Sequence, residues 1–266
     1  RRSLSAAASG LLRRDGGFAT LSAAYDRGDG FVPTVAESRG PADRAAPFEQ
    51  FSAAARSVVA LGGQTELQTN LSGFTDTRER GTAFTRNRSQ GADASVRLIG
   101  RGDWGWSTLA YLQTRAFASQ FASVDAARTT ATQTLDQYNT PATGTGGRIE
   151  VKPPVGEGRD LRLGADVRRV SGQTQELYTY VNALPTRRRV AGGTALTYGL
   201  FTDASLTAGP ATLTLGGRVD RWRLTDGALR EAVIATGAPL TNAIFPERRG
   251  TEWTGRAGIA VTPVAP

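Results

Sequence analysis

The sequence contains no cysteine, no histidine and no methionine. The first absence removes disulfides and thiolate chemistry, and the second removes imidazole metal ligands and every catalytic triad that needs an imidazole base. Lysine is nearly missing too. Of 32 basic residues only Lys152 is lysine, against 24 acids and a net charge of +8. A nucleic-acid-binding protein usually mixes lysine and arginine in clusters, so near-total arginine beside abundant alanine and glycine fits GC-rich codon usage instead. No run of 18 apolar residues occurs, and the richest local stretch is only Ser57 to Leu61. A membrane-spanning helix is therefore excluded. A membrane β-barrel is not, because its strands need only about 9–11 residues with one apolar face.

What remains is enough to fold. The hydrophobic share of 39%, counted with glycine in place of tyrosine, becomes about 49%, an ordinary value for a folded chain. The chain begins at Arg1-Arg2, with no initiator methionine and nothing resembling a signal peptide, and is read as an internal piece of a longer protein.

A period of two residues dominates the pattern. In Thr65 to Asp76, Leu67, Thr69, Leu71 and Gly73 fall on one face and Glu66, Gln68, Asn70 and Ser72 on the other. The same split predicts strands at Gly147 to Lys152, Leu161 to Arg169 and Ala211 to Asp220. Further strands are expected at Ser3 to Leu12, Phe18 to Asp26, Phe48 to Ala60, Ala92 to Gly100, Trp106 to Phe117, Thr194 to Ser205 and Glu252 to Thr262. About eleven or twelve strands result, and no domain boundary or fixed-length repeat interrupts them.

Connection lengths alternate. Short turns fall at Arg13 to Gly17, Leu61 to Gln64, Arg101 to Gly105, Gly156 to Asp160 and Ala208 to Pro210, most of them rich in glycine. Between them the sequence predicts long loops at Arg27 to Ala46, Thr77 to Ser89, Ala118 to Thr143, Thr174 to Ala191 and Gly227 to Arg249. Five loops beyond about 12–15 residues would be anomalous in a compact soluble domain. Strict alternation of tight turns and long loops is what an up-and-down membrane barrel requires.

In such a barrel Arg148, Glu150, Arg162, Asp166, Arg168, Arg218 and Asp220 would line the water-filled interior, since a charge on the lipid face costs about 2–4 kcal/mol at mid-depth. Aromatics near segment ends, namely Phe18, Tyr25, Trp104, Trp106, Phe117, Tyr178, Tyr180 and Trp253, are expected to form interfacial girdles. Arg187 to Arg189 and the group Arg78, Arg80, Arg86 and Arg88 fall in predicted loops, where contact with anionic lipopolysaccharide is conceivable. The glycines at 144, 146 and 147 suggest a phosphate loop only out of context, because an alternating strand and not a helix follows them. No carboxylate pair is placed for general acid and base work. No catalytic, cofactor-binding or metal-ligating residue is nominated.

Read together, Ser38-Arg39-Gly40-Pro41-Ala42-Asp43-Arg44, Thr65-Glu66-Leu67-Gln68-Thr69-Asn70, Asp103-Trp104-Gly105-Trp106 and Gly216-Gly217-Arg218-Val219-Asp220 resemble the barrel portion of a TonB-dependent outer-membrane receptor. The resemblance spans nearly the whole chain. It implies an all-β, antiparallel up-and-down transmembrane barrel, with about 12 strands present of a larger, 22-stranded one, so that residues 1–266 form one incomplete barrel domain. The resemblance also implies a protein of the Gram-negative outer membrane that is not an enzyme and that imports a scarce chelate, such as a siderophore or cobalamin, with energy supplied by TonB. Its partners would be outer-membrane lipid and lipopolysaccharide, a small chelate at the outer loops, and a plug domain and TonB lying outside this chain. The chain ends at Val264-Ala265-Pro266 without a terminal aromatic. Two other architectures fit the same alternation: a soluble extracellular β-rich binding or adhesion module, with strands of five or six residues and loops at both ends, and a smaller complete pore whose first and last strands pair.

Overall fold

The computed structural model describes residues 2–262; the Arg1 start and the Val264-Ala265-Pro266 end lie outside them. Twelve antiparallel strands follow in chain order: β1 (Ser3–Arg14), β2 (Gly17–Gly28), β3 (Phe48–Gly62), β4 (Thr65–Arg78), β5 (Asn87–Arg101), β6 (Gly105–Val124), β7 (Ala131–Lys152), β8 (Arg159–Val181), β9 (Leu184–Ala208), β10 (Ala211–Val233), β11 (Pro239–Ile244) and β12 (Arg248–Val261). Each of β1 to β10 pairs with the next. The short β11 and then β12 run in succession along the far edge of β10, opposite Ala228–Ala232 and Ala211–Leu224 respectively. The shift in β10 between Thr225 and Ala228 marks where one gives way to the other. β1 and β12 do not pair, so these strands do not close a pore by themselves.

All five predicted short turns are present, and all the long connections leave from the opposite end of the sheet. Three of those connections differ from expectation. Ala118 to Thr143, Thr174 to Ala191 and Gly227 to Arg249 are largely strand: β6 and β7 continue to a tip at 125–130, β8 and β9 meet at Asn182-Ala183, and β10 turns back through β11. At the β8–β9 tip both turn residues have positive φ, 51° and 62°, the backbone of a two-residue hairpin turn whose twist matches its strands. In these stretches apolar residues such as Leu177, Leu229, Ile234 and Phe245 do not keep a steady alternation against polar ones. Backbone pairing carries the hairpins through these stretches without a face-wise apolar alternation.

The sheet is a single layer with nothing folded against either face. Among the described residues Ala42 is the only buried hydrophobic side chain, while Leu21 (66% exposed), Leu200 (60%) and Ile259 (72%) project from the sheet. They share one face. Register places Leu21 beside Ala55, Leu71, Ala94, Leu112 and Thr145 across six strands. A sandwich would bury such a face against a second sheet; here it is left for an apolar solvent, and eleven of the twelve strands have at least 12 residues, long enough to cross one. No helix among the described residues is long and apolar enough to cross a membrane.

The connection between β2 and β3 folds over its neighbours at the long-loop end. Asp43 accepts hydrogen bonds from Thr34 Oγ1 (2.6 Å) and the Gly40 amide (2.8 Å), and Arg128 of the β6–β7 tip donates to it from Nε at 2.8 Å. The Arg44 amide donates to the Gly81 carbonyl at 2.7 Å. At Gly40 a β-carbon would sit 2.4 Å from the Arg128 carbonyl oxygen, so only glycine admits the tip. Arg128 above all, then the Gly40 amide and Thr34, hold the Asp43 carboxyl far below the usual carboxylate range. A lowered pKa stabilises the clasp above the unfolded-state value and is lost only as pH falls through the folded one. The clasp therefore persists unchanged from pH 7 to pH 5. Hydrogen exchange at the Ala42 amide, which donates to the Arg128 carbonyl, is the readout; in Asp43→Asn it should speed up about tenfold at either pH, the usual scale for losing a charged hydrogen bond.

Candidate functional site

The face opposite the apolar one carries the charge. Register stacks three rows across β7 to β12: Arg148, Asp166, Gly199, Asp220 and Glu252; then Glu150, Gly164, Phe201, Arg218 and Thr254; then Arg162, Asp203, Gly216 and Arg256. All seven residues predicted to line the interior therefore share one face. Arg218 bridges Asp166 (2.7 Å) and Asp220 (2.5 Å), Glu150 takes both Arg148 (2.8 Å) and Arg162 (3.3 Å), and Arg256 meets Asp203 at 2.6 Å. Arg168 is exposed and makes no ion pair among the described residues.

Phe201, which breaks the polar alternation of β9, sits at the centre. Arg148 and Arg218 lie 4.4 and 5.9 Å from its ring centroid, and the ring lies flat over Gly164, where a β-carbon would meet Cζ at 2.1 Å. The ring thus fills the space that the missing side chain leaves and offers its face to two guanidinium groups. Gly144 to Gly147 lie within β7, which rules out a phosphate loop.

A second cluster lies higher on the same face, on the extended hairpins. Glu176, Arg189, Glu231 and Thr241 form one row through β8, β9, β10 and β11. Arg189 donates to Glu176 (2.6 Å) and Glu231 (3.5 Å), Glu231 also accepts from the Tyr178 hydroxyl (3.0 Å) and Thr241 (2.8 Å), and the Arg189 guanidinium lies 5.0 Å from the Tyr178 ring centroid. Sequence reasoning missed this cluster by assigning 174–191 to a loop. The signal was the two-residue spacing of Glu176 and Tyr178 and of Arg187 and Arg189.

The aromatics divide between faces. Tyr25, Trp106 and Trp253 lie on the apolar face, as a girdle requires, and Tyr198 and Phe51 join them. Phe18, Phe117, Tyr178 and Tyr180 fall on the polar face instead, where Arg56 stacks over Phe18 and Arg189 over Tyr178. The predicted loop arginines are dispersed as well. Arg187 and Arg189 point with the polar face and Arg188 away from it. Arg78 is held by Asp76, Arg80 caps backbone carbonyls at residues 85 and 120, and Arg86 approaches Glu79 at 4.0 Å.

The arrangement can bind and orient but has no reacting pair. Carboxylates and guanidinium groups neutralise one another, and no group of three or more acidic, histidine or cysteine residues could hold a metal among the described residues.

The chain is similar in fold to transport receptors of known structure. The ferric yersiniabactin uptake receptor FyuA from Yersinia pestis aligns at TM-score 0.70 and 12% identity over 97% of this chain and 42% of its own. The closed form of the ferric-catecholate import receptor Fiu from E. coli K12 aligns at 0.71 and 11% over 98% and 48%. The FrpB iron transporter from Neisseria meningitidis aligns at 0.70 and 13% over 98% and 43%. The chain thus spans less than half the length of each. No curated protein matches it by sequence. These neighbours are transport receptors and not enzymes, and barrels of this type are Gram-negative outer-membrane proteins. The family described as TonB dependent receptor-like, beta-barrel, matches residues 9–264, and this chain belongs to it.

Proposed function

We propose that the chain is part of the barrel wall of an outer-membrane receptor that imports a scarce metal chelate with energy relayed by TonB, the remaining strands and a plug domain being supplied by sequence beyond residues 1–266. The observation that carries this reading is the division of the sheet. One face is apolar along the strands and unpartnered; the other is charged; every extended hairpin rises from one end. In a bilayer every backbone group must be paired within the sheet, and an even apolar belt with a polar interior is the form that satisfies this. The chelate class follows from the neighbours, whose names specify ferric yersiniabactin, ferric catecholate and iron.

Within that reading, cargo meets the Tyr178 and Arg189 cluster first. The Tyr178 ring offers a stacking face to a flat chelate, and Arg189, though held by Glu176 and Glu231, keeps further N–H donors for oxygens at the chelate's rim. The test is uptake by cells carrying the full-length receptor, with radiolabelled ferric catecholate and ferric phenolate chelates, with and without TonB. TonB-dependent accumulation of at least one is expected. Arg189→Gln should lower its binding affinity about tenfold, the scale of one charged hydrogen bond, without lowering the amount of receptor in the membrane. Accumulation of neither chelate, or accumulation indifferent to TonB, overturns the proposal.

A further inference from the structure

The polar face is hollowed at its short-turn end, over β6. There β6 presents Gly105, Ser107 and Leu109, while the flanking strands present long cationic side chains, Arg97 and Arg101 from β5 and Arg148 and Lys152 from β7. The difference in length leaves a cavity of about 600 Å³, which Arg162 of β8 also lines. Two strand intervals make it about 10 Å wide, and four residues along β5 make it about 13 Å long. A small organic molecule fits such a space.

Five cations line the cavity against one carboxylate, Glu150. Glu150 is shared between Arg148 (2.8 Å) and Arg162 (3.3 Å), and Arg101 is held by Glu66 (2.8 Å), which lies outside the cavity. The other two cations are open. Arg97 reaches only the Ser107 hydroxyl, at 3.5 Å, and Lys152, on the facing wall, makes no ion pair or hydrogen bond among the described residues. Between them Arg162 Nε is buried without a hydrogen-bond partner. With Glu66 counted, five cations against two carboxylates leave three positive charges over. A cleft of one sign gathers counter-charge. Its base is nevertheless partly apolar, through Ile99 and Leu109.

We infer that this trough binds a compact organic polycarboxylate, with carboxylate groups on Arg97, Lys152 and Arg162 and the carbon skeleton over Leu109 and Ile99. The two walls select more than one carboxylate: the open cations stand on β5 and β7, two strands apart, and a single carboxylate reaches one wall only. The floor selects carbon between the charged groups, because inorganic phosphate has no apolar surface to lay on it. Arginine supplies a planar fork and lysine a point charge, so the two walls hold carboxylates in different ways. The inference goes beyond the receptor reading; only the placing of the trough, at the end of the interior away from Tyr178 and Arg189, rests on it.

The experiment titrates the full-length receptor in detergent micelles with tricarballylate, butyrate and inorganic phosphate, and reads binding by calorimetry. Tricarballylate should bind at least about tenfold more tightly than either of the others, the scale of one further charged hydrogen bond. Arg97→Gln with Lys152→Gln should weaken it at least about tenfold. Arg13→Gln with Arg168→Gln, which removes two arginines of the same face that do not line the cavity, should leave it unchanged. Equal affinity for the three anions, or equal loss in the two double variants, overturns the inference. So does absence of tricarballylate binding, the result if an acidic segment of the full-length protein already fills the trough. The comparison of anions on the wild type stands even if a variant fails to fold. Protease-resistant insertion into vesicles, read on the same preparation, reports separately on the barrel reading.

Discussion

Leu215→Arg costs the folded receptor about 2–4 kcal/mol, the value for a charge at the middle of the lipid face of a barrel. Leu215 lies midway along β10 between the turn at Gly209-Pro210 and the outward Arg221, and its row neighbours Ala204 and Ala257 are apolar. Its arginine side chain would have neither water nor a carboxylate within reach. Ser205→Arg, one row away but on the other face beside Thr214 and Asp160, should stay within about 0.5 kcal/mol of the wild type, as hydrated surface substitutions do. Urea titration of the full-length protein folded into vesicles measures both. Equal costs at the two positions would mean that the faces are wrongly assigned, and with them the membrane.

The second large effect is at Gly164. A β-carbon there would lie 2.1 Å from Phe201 Cζ, so Gly164→Val must drive the ring out of its place between Arg148 and Arg218. The expected destabilisation is about 1–3 kcal/mol, the usual range for forcing extra carbon into an occupied site. The background decides the cause. In Phe201→Ala the space is vacant, so the same substitution should cost at least about 1 kcal/mol less, a coupling of the size seen between residues in contact. If the valine costs as much without the ring as with it, the ring is not what the glycine accommodates.

How far the sequence discloses this follows from where apolar solvent acts. Within the belt the alternation of Leu161, Leu163, Ala165 and Val167 against Arg162, Asp166 and Arg168 is enforced by lipid on one side and water on the other, so both the strand and its facing could be read. Above the belt, water wets both faces and that constraint ends. There Thr174 to Ala191 reads as a loop although backbone pairing carries β8 and β9 through it. The Tyr178 and Arg189 cluster was hidden with it. The girdle was legible only in part, because position near the end of an expected segment does not give parity: Trp253 and Phe117 both fall near such ends in the sequence, yet they lie inside β12 and β6 and on opposite faces. The clasp from Asp43 to Arg128 spans 85 residues of sequence. Nothing local marks its partner.

That clasp also has a mechanical consequence. Residues 29–47 are fastened at Arg128 to the β6–β7 tip and at Gly81 to the connection between them, and Arg80 in turn is tied to the carbonyl of Gln120 in β6. The three crests on that side are thereby geared together: a push on any of them turns the others. The rim carrying β8 to β11 shares none of these fastenings and is braced instead by the row from Glu176 through Arg189 and Glu231 to Thr241, so the two parts of that end are tied by separate sets of contacts.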